Sequence, residues 1–324
     1  MHNIVTQSQR LSFLQKGYSA SGFLEVSMIS VKRIFLMLML LPASSISYAV
    51  SLGEVHHQVK VITSHLNTIK KHSAADKQSR TISVQVGKTS LHAYVKALDL
   101  LEKIRKYQAE KGLALVEIPS LPLKKVRSKH LMKVVQLTLQ EVEKLSQALN
   151  LTVEPIEVDD KSKTASDLYG QIWQASYLMD TLVSPVNMAD VKRNNLKIAQ
   201  GLKDIAKRLD KEITAQTVPT FKGKQATDVT IGLYKLLYKL ADLERKLKLK
   251  PLVVPNFPTG DIQAADAYEA GSSVVADLTR IALKLKIPPI KALDSEANEQ
   301  TSSDMDSLYA QVHQLNVSAE RLIK

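Results

Sequence analysis

The feature that most constrains this chain is an apolar helical seam that recurs four times, each time beside a tyrosine. The four tyrosines are Tyr94, Tyr169, Tyr234 and Tyr309. Each seam advances in alternating steps of four and three residues, as in Leu168, Ile172, Ala175, Met179 and Leu182. This spacing keeps the apolar side chains on one face of a helix, where they can pack along a neighbouring helix. In the third copy, Glu244 interrupts the seam.

A second seam with the same spacing precedes each tyrosine helix and begins at Val55, Leu131, Val191 and Ala267. The tyrosines recur at intervals of 75, 65 and 75 residues (169−94, 234−169 and 309−234). Each interval is long enough for two helices of about six turns. The sequence therefore predicts an all-α fold of four antiparallel helical hairpins. The predicted hairpins cover residues 52–110, 122–184, 187–248 and 260–323.

Pairs of hairpins suggest how the seams are buried. A lone hairpin leaves one face of each seam exposed, whereas two hairpins can close a four-helix bundle. We therefore expect two tandem up-and-down four-helix bundles, formed by residues 50–184 and 185–324. An open α-solenoid is the alternative, because hairpins that bury their seams only against neighbours also stack into superhelices.

The N-terminal residues have a pattern typical of a secretory signal peptide. Lys32 and Arg33 precede an apolar run, and a small-residue segment follows that ends at Ala49. We expect residues 28–49 to be the signal peptide, with cleavage after Ala49, and residues 1–27 to be a non-native upstream extension. The apolar run is much shorter than the roughly twenty residues that span a bilayer. These features predict a periplasmic or secreted protein with no transmembrane segment in the mature chain.

The chain is basic and lacks cysteine, with a formal net charge of +12. Such an excess attracts anions. The densest basic patch comprises Lys124, Lys125, Arg127, Lys129 and Lys133. Because cations at a helix N-terminus oppose the helix dipole, one interpretation is an anion-binding surface, and the plainer one is a solvated helix face. The expected partner is another envelope protein, an anionic polymer or a membrane surface, with nucleic acid disfavoured.

Bulky residues form a second strip beside the seam of the tyrosine helices. The strip is best developed at Tyr169, Trp173, Tyr234 and Tyr238. These side chains either widen the apolar core or line an aromatic groove that holds a partner helix or a flat ligand. In the first role the strip is purely structural, and in the second it is a binding site.

Two residues of the preceding seams also depart from the pattern. Asn195 and Gly271 stand where the earlier copies have Val59 and Val135. A buried asparagine commonly fixes helix register. The alternative is a ligand pocket in the second bundle, in which Asn195 supplies hydrogen bonds and Gly271 supplies room.

The sequence pattern predicts no catalytic, cofactor-binding or metal-binding residues. The segment Gly87-Lys88-Thr89 resembles the end of a phosphate-binding loop, but Ile82 stands where that loop requires glycine. We therefore predict an exported, non-catalytic helical-repeat interaction module that binds a protein partner or an anionic envelope component. The alternative is a periplasmic, sensor-type bundle that binds a small molecule.

Overall fold

A computed structural model of the chain describes residues 50–73, 82, 84–121, 125–157, 162–213, 217, 219–288 and 304–324. The predicted upstream extension and signal peptide, and Lys124 of the basic patch, lie outside these residues. Within them the chain forms eight α-helices and no strand, so the predicted all-α class is confirmed. The helices are α1 (Leu52–His72), α2 (Ser90–Glu110), α3 (Ser128–Ala148), α4 (Ala165–Asp180), α5 (Met188–Arg208), α6 (Ala226–Lys246), α7 (Ala264–Lys284) and α8 (Met305–Ile323).

The apolar seams predicted from the sequence form the cores. In α1, all five seam residues are inaccessible to solvent: Val55, Val59, Ile62, Leu66 and Ile69. Burial of each such side chain stabilises the fold by about 1.5–3 kcal/mol. The buried apolar residues fall into two clusters, one drawn from α1–α4 and the other from α5–α8. We call these two sets of helices the first and the second helix group.

Each helix group is a closed ring of four helices. In the first group, α1 and α2 each pack against both α3 and α4. In the second group, α5 and α6 each pack against both α7 and α8. The two helices of a predicted hairpin therefore occupy opposite corners of a ring.

The helices of a group run in the same direction. The backbone N–H of Lys88, just before α2, donates to Ser166 at the start of α4 (3.0 Å). Lys106, near the end of α2, donates to the carbonyl of Ser184, just beyond the end of α4 (3.3 Å). In the second group, the start of α6 contacts the start of α8, and the end of α5 contacts the ends of α7 and α8. These contacts correct the prediction of antiparallel hairpins and of up-and-down connections.

Long connections explain the common direction. A helix of 21 residues such as α2 is about 32 Å long, and about ten extended residues can cover that distance. Residues 111–127, between α2 and α3, are therefore enough to bring the chain back to its starting end. Tyr94 donates to the carbonyl of Ser120 (3.2 Å), and Tyr234 donates to that of Asn256 (2.9 Å). Two of the repeated tyrosines thus hold a return segment alongside its helix.

The structural repeat is one helix followed by one return segment. Successive helices begin 38 residues apart at residues 52, 90 and 128 (90−52 and 128−90), and again at residues 188, 226 and 264 (226−188 and 264−226). The interval between Tyr94 and Tyr169 therefore spans two repeats, which explains why the sequence pattern resembles a two-helix unit. The connection between α4 and α5, residues 181–187, is much shorter and marks the boundary between the groups.

Local hydrogen bonds define the helix ends. Five helices are followed by a residue with left-handed backbone conformation: Gly112, Asn150, Asp210, Lys248 and Lys286. The amide after each such residue donates back into the last helical turn, as Leu249 does to the Glu244 carbonyl (2.8 Å), in the Schellman pattern. At the starts of α1 to α7, the third residue accepts from the N-cap amide. This residue is acidic in α1, α4, α5, α6 and α7, but it is His92 in α2 and His130 in α3.

The two groups meet along α2 and α7, which cross in opposite directions. His92 near the start of α2 contacts Asp277 in the second half of α7 (2.8 Å). Asp99 in the middle of α2 accepts from Tyr268 near the start of α7 (2.9 Å). The described helices belong to one compact unit, and this crossing positions the candidate site.

Candidate binding cavity between the helix groups

A cavity of about 500 Å³ lies beside the crossing of α2 and α7. Its lining includes residues of α4 from the first group, and residues of α6, α7 and the return segment before α7 from the second group. The segment before α2 contributes Gln85 and Lys88. Both helix groups therefore build the cavity, which has a volume in the range of pockets that hold small organic molecules.

Aromatic side chains line much of the cavity: Tyr169, Trp173, Tyr177, Tyr234 and Phe257. The first three follow one another at intervals of four residues on α4, and their ring centroids are 5.6 and 5.7 Å apart. The rings of Tyr234 and Phe257 lie edge to face at 5.0 Å. Both groups thus contribute flat apolar surfaces with polar edges to the cavity lining.

The cavity brings together three of the four aromatic residues predicted to line a groove. Tyr169, Trp173 and Tyr234 line it, whereas Tyr238 is 61% exposed and is not part of its lining. Sequence reasoning missed Tyr177 and Phe257. Tyr177 continues the four-residue spacing from Tyr169 and Trp173 and could have been found, but Phe257 lies in a proline-rich segment without periodicity.

Gly87 positions the segment that carries Lys88. Its backbone has a φ of +69°, and an added Cβ would lie 2.9 Å from the side chain of Val253. Glycine is required here for two reasons, because side chains disfavour this conformation and the return segment leaves no space. The motif that resembles a phosphate loop is therefore a tight contact between two connecting segments.

A network of buried charges joins α2, α4 and α7 behind the aromatic wall. Lys96 is 2% exposed and donates to Asp99 (2.9 Å) and, in a very short contact, to Glu269. Lys103 donates to Ser176 (2.7 Å) and pairs with Asp180 (2.7 Å). These contacts connect the helix groups through ions that are removed from water.

The charges of this network shift one another's pKa values. Burial opposes the charge of Lys96, but the carboxylates of Asp99 and Glu269 outweigh it and raise the pKa of Lys96 above its ordinary value. Burial also opposes ionisation of Asp99, yet Lys103 and Lys96 hold the pKa of that carboxyl well below its usual range. Burial raises the pKa of Glu269, against the attraction of Lys96. The charges of Lys96 and Asp99 are thus stabilised by their partners, whereas burial disfavours the charge of Glu269.

Trp173 and Glu269, which both line the cavity, each have a polar atom with unused hydrogen-bonding capacity. Trp173 Nε1 and Glu269 Oε2 are inaccessible to solvent and have no hydrogen-bond partner among the described residues. Lys88 Nζ lies 5.0 Å from the centroid of the Tyr169 ring. Burial lowers the pKa of Lys88, although Asp277 and Glu269 attract its charge. The residues that line the cavity therefore include donors at Trp173 and Lys88 and an acceptor at Glu269.

Next to the cavity, His92 connects Thr89 to Asp277. Its Nδ1 lies 2.9 Å from Thr89 Oγ1, and its Nε2 lies 2.8 Å from Asp277 Oδ1. Burial lowers the pKa of His92, against the attraction of Asp277. The chain of contacts resembles the order of groups in a catalytic triad, but Thr89 is the N-cap of α2 and neither it nor His92 lines the cavity. We assign these residues to helix capping and to the junction between the groups.

Asn195 and Gly271, the other predicted pocket residues, lie away from this cavity. Asn195 is buried and donates to Gln311 of α8 (3.3 Å). A Cβ added to Gly271 would lie 3.4 Å from the Asn194 side chain, so this glycine permits close packing of α5 on α7. Both residues thus occupy helix–helix contacts of the second group.

Glu244, which interrupts the apolar seam, is fully buried in α6. Its carboxylate accepts from Arg280 of α7 (2.8 Å) and from the backbone N–H of Leu252 (2.9 Å). Burial, followed by repulsion from Asp277, raises the pKa of Glu244 to about 7, against the attraction of Arg280. The Glu244 carboxylate therefore connects α6 with α7 and with the return segment between them.

The predicted basic patch lies on the surface at the start of α3. Lys125, Arg127, Lys129 and Lys133 are exposed. The amide of Arg127 donates to Nδ1 of His130 (3.0 Å), which caps the helix. The patch is remote in sequence from the cavity-lining residues and would serve a separate role.

Comparison with protein families, curated proteins and solved structures finds no match to this chain. Within the described residues, no helix is both long and apolar enough to cross a membrane.

Proposed function

We propose that this chain is a non-catalytic binding protein that holds a small organic ligand in the cavity between its two helix groups. The observation that carries the proposal is an aromatic cavity lining contributed by both groups, with a tryptophan N–H that has no partner among the described residues. Aromatic walls and a few polar groups are typical of small-molecule sites. Ligand binding would also couple the two groups, because the ligand would touch α4, α6 and α7 together.

Fluorescence provides a direct test, because Trp173 is the single tryptophan of the chain and lines the cavity. We expect aromatic ligands from a library of small metabolites to change the emission of Trp173 in a saturable way. Tyr234→Ala and Phe257→Ala should weaken such binding by about tenfold each, whereas Tyr238→Ala, at an exposed position outside the cavity, should leave it unchanged. Equal effects of all three substitutions, or no saturable ligand, would contradict the proposal.

The site of action is part of the same proposal. The signal-peptide pattern ending at Ala49 favours a periplasmic or secreted protein. The proposed cellular setting is therefore the cell envelope or the medium, where the ligand would be a metabolite or an envelope component. N-terminal sequencing of the protein recovered from a periplasmic fraction should begin at Val50, and a chain that retains earlier residues would contradict this proposal.

The basic patch favours a second candidate function, contact with an anionic partner of the envelope. Its four described cations are exposed, and parallel packing sets the N-termini of α1–α4 at the same end of the first group, where positive helix dipoles add. Retention on anionic vesicles should fall as salt rises through the physiological range. Replacement of Lys125, Arg127, Lys129 and Lys133 by glutamine should abolish retention without changing the Trp173 response to ligand.

A further inference from the structure

The charged residues of the cavity indicate which ligand chemistry it suits, an inference that rests on the proposed function. Lys88 is only 9% exposed, and no carboxylate among the described residues lies within 4 Å of its Nζ. Its described contact is the face of the Tyr169 ring. A buried ammonium without an anion is costly, so this position would bind a ligand anion favourably.

Glu269 offers the opposite charge in the same cavity. One carboxylate oxygen accepts from Lys96, while Oε2 is inaccessible to solvent and has no donor among the described residues. The side chain is 6% exposed and lines the cavity. An ammonium or hydroxyl group of a ligand would satisfy this oxygen, and a charged donor would do so most strongly.

Trp173 shares a neighbour with each of these two positions, Tyr169 with Lys88 and Lys96 with Glu269. Its ring contacts the Tyr169 ring at 5.6 Å, and Lys96, the partner of Glu269, lies 5.6 Å from its centroid. Its Nε1–H is a buried donor without a described acceptor. A ligand carboxylate would accept hydrogen bonds from both Lys88 and Trp173. By itself, however, it would repel the Glu269 carboxylate and leave Oε2 without a donor. An amine would satisfy Glu269, but by itself it would face the Lys88 cation.

We infer that the ligand is a small zwitterion with an apolar or aromatic body, in the manner of an amino acid. Its carboxylate binds Lys88 and the N–H of Trp173, and its ammonium binds Glu269. The body packs against the tyrosine rings and Phe257. This is the class of molecule that satisfies all three polar groups at once.

The test uses three probes with the same body: phenylalanine, 2-phenylethylamine and 3-phenylpropionate. Binding to the purified protein is measured by calorimetry and by Trp173 fluorescence. Because each charge-assisted contact contributes about tenfold or more to affinity, we expect phenylalanine to bind at least tenfold more tightly than either single-charge probe. Lys88→Met keeps the length of the side chain. It should weaken the binding of phenylalanine and 3-phenylpropionate by tenfold or more, and it should leave the binding of 2-phenylethylamine unchanged or tighter.

A second variant tests the other charge. Glu269→Gln should weaken the binding of phenylalanine and 2-phenylethylamine but not the binding of 3-phenylpropionate. Circular dichroism checks that the variant folds. If the variant unfolds, the Lys88→Met result alone decides whether the ligand is a zwitterion.

Equal affinity for the three probes would contradict the inference that the ligand is a zwitterion. A loss of affinity at Lys88→Met that is the same for the amine and the acid would also contradict it. If neutral aromatic probes such as indole show saturable binding while phenylalanine does not, the ligand is not a zwitterion but the proposed function stands. If no probe of either kind binds, the proposed function fails as well.

Discussion

The apolar cores of the two helix groups and the polar junction between them are built by different rules. Every helix buries an apolar seam, and α1 buries little else. In contrast, α2 and α7 bury a second face that carries Lys96, Lys103, Asp99, Glu269 and Asp277. The cores depend on non-directional burial of apolar surface, whereas the junction depends on specific pairs of ions. Folding of each group and assembly of the two groups are thus controlled by separate sets of residues.

The largest effect is expected from a break in the junction. Lys96→Met removes the buried cation, so Glu269 loses its ion-pair partner and Asp99 loses one of its two, keeping Lys103 at 3.8 Å. Removal of one member of a buried ionic network costs about 3–5 kcal/mol. We expect the urea midpoints reported by Trp173 fluorescence and by circular dichroism to move further apart, because the two groups would then be less tightly coupled. The control is Lys324→Met, which removes an exposed ion pair with Glu320 and should not change the transition.

A cavity introduced into the apolar core of one helix group tests how the cores, as opposed to the ionic junction, contribute to stability. Leu66 is fully buried in α1, and Leu66→Ala should lower the stability of the first group by about 3 kcal/mol. Trp173 fluorescence reports this group, so its urea midpoint should fall. The matched change Leu240→Ala, in the second group, should lower the midpoint seen by circular dichroism more than the Trp173 midpoint. Identical effects of both substitutions on both signals would show that the groups unfold as one.

Glu244 provides a pH-dependent test of a polar group inside an apolar core. Its pKa is raised from 4.5 to about 7 in the folded state, so its protonated form stabilises the fold below pH 4.5. That contribution is lost as pH rises through about 7. Glu244→Gln cannot titrate, so the stability of this variant relative to the parent should rise between pH 4.5 and 7, by roughly 3 kcal/mol at most. Urea unfolding at several pH values measures the difference, and a constant difference would contradict the assignment.

The smallest effect concerns the return segments. Tyr94→Phe removes the hydrogen bond to the Ser120 carbonyl and should cost about 1 kcal/mol. Tyr234→Phe removes the equivalent bond to Asn256 and should cost a similar amount. Tyr238→Phe, at an exposed position, is the control and should leave the melting temperature unchanged. If all three variants melt alike, these bonds contribute nothing.

Part of the candidate site could be predicted from the sequence. Tyr169 and Trp173 share a helix face because they are four residues apart, and that spacing is visible in the chain. Their meeting with Glu269 could not be predicted, since about one hundred residues separate them and Glu269 resembles any acidic residue of a helix. The contact between His92 and Asp277 joins residues 185 positions apart. Local periodicity contains no information about such pairs.

The sequence by itself determined which segments are helical and which face of each helix is buried, because seam spacing is a local property of the chain. It did not determine the directions of the helices. A seam presents the same stripe to a parallel or an antiparallel neighbour, and connections such as residues 111–127 are long enough for either arrangement. The tertiary structure decided that the chain returns to the same end before each helix within a group. It also decided that α2 and α7 cross, because their buried charges are satisfied only when the two groups come together.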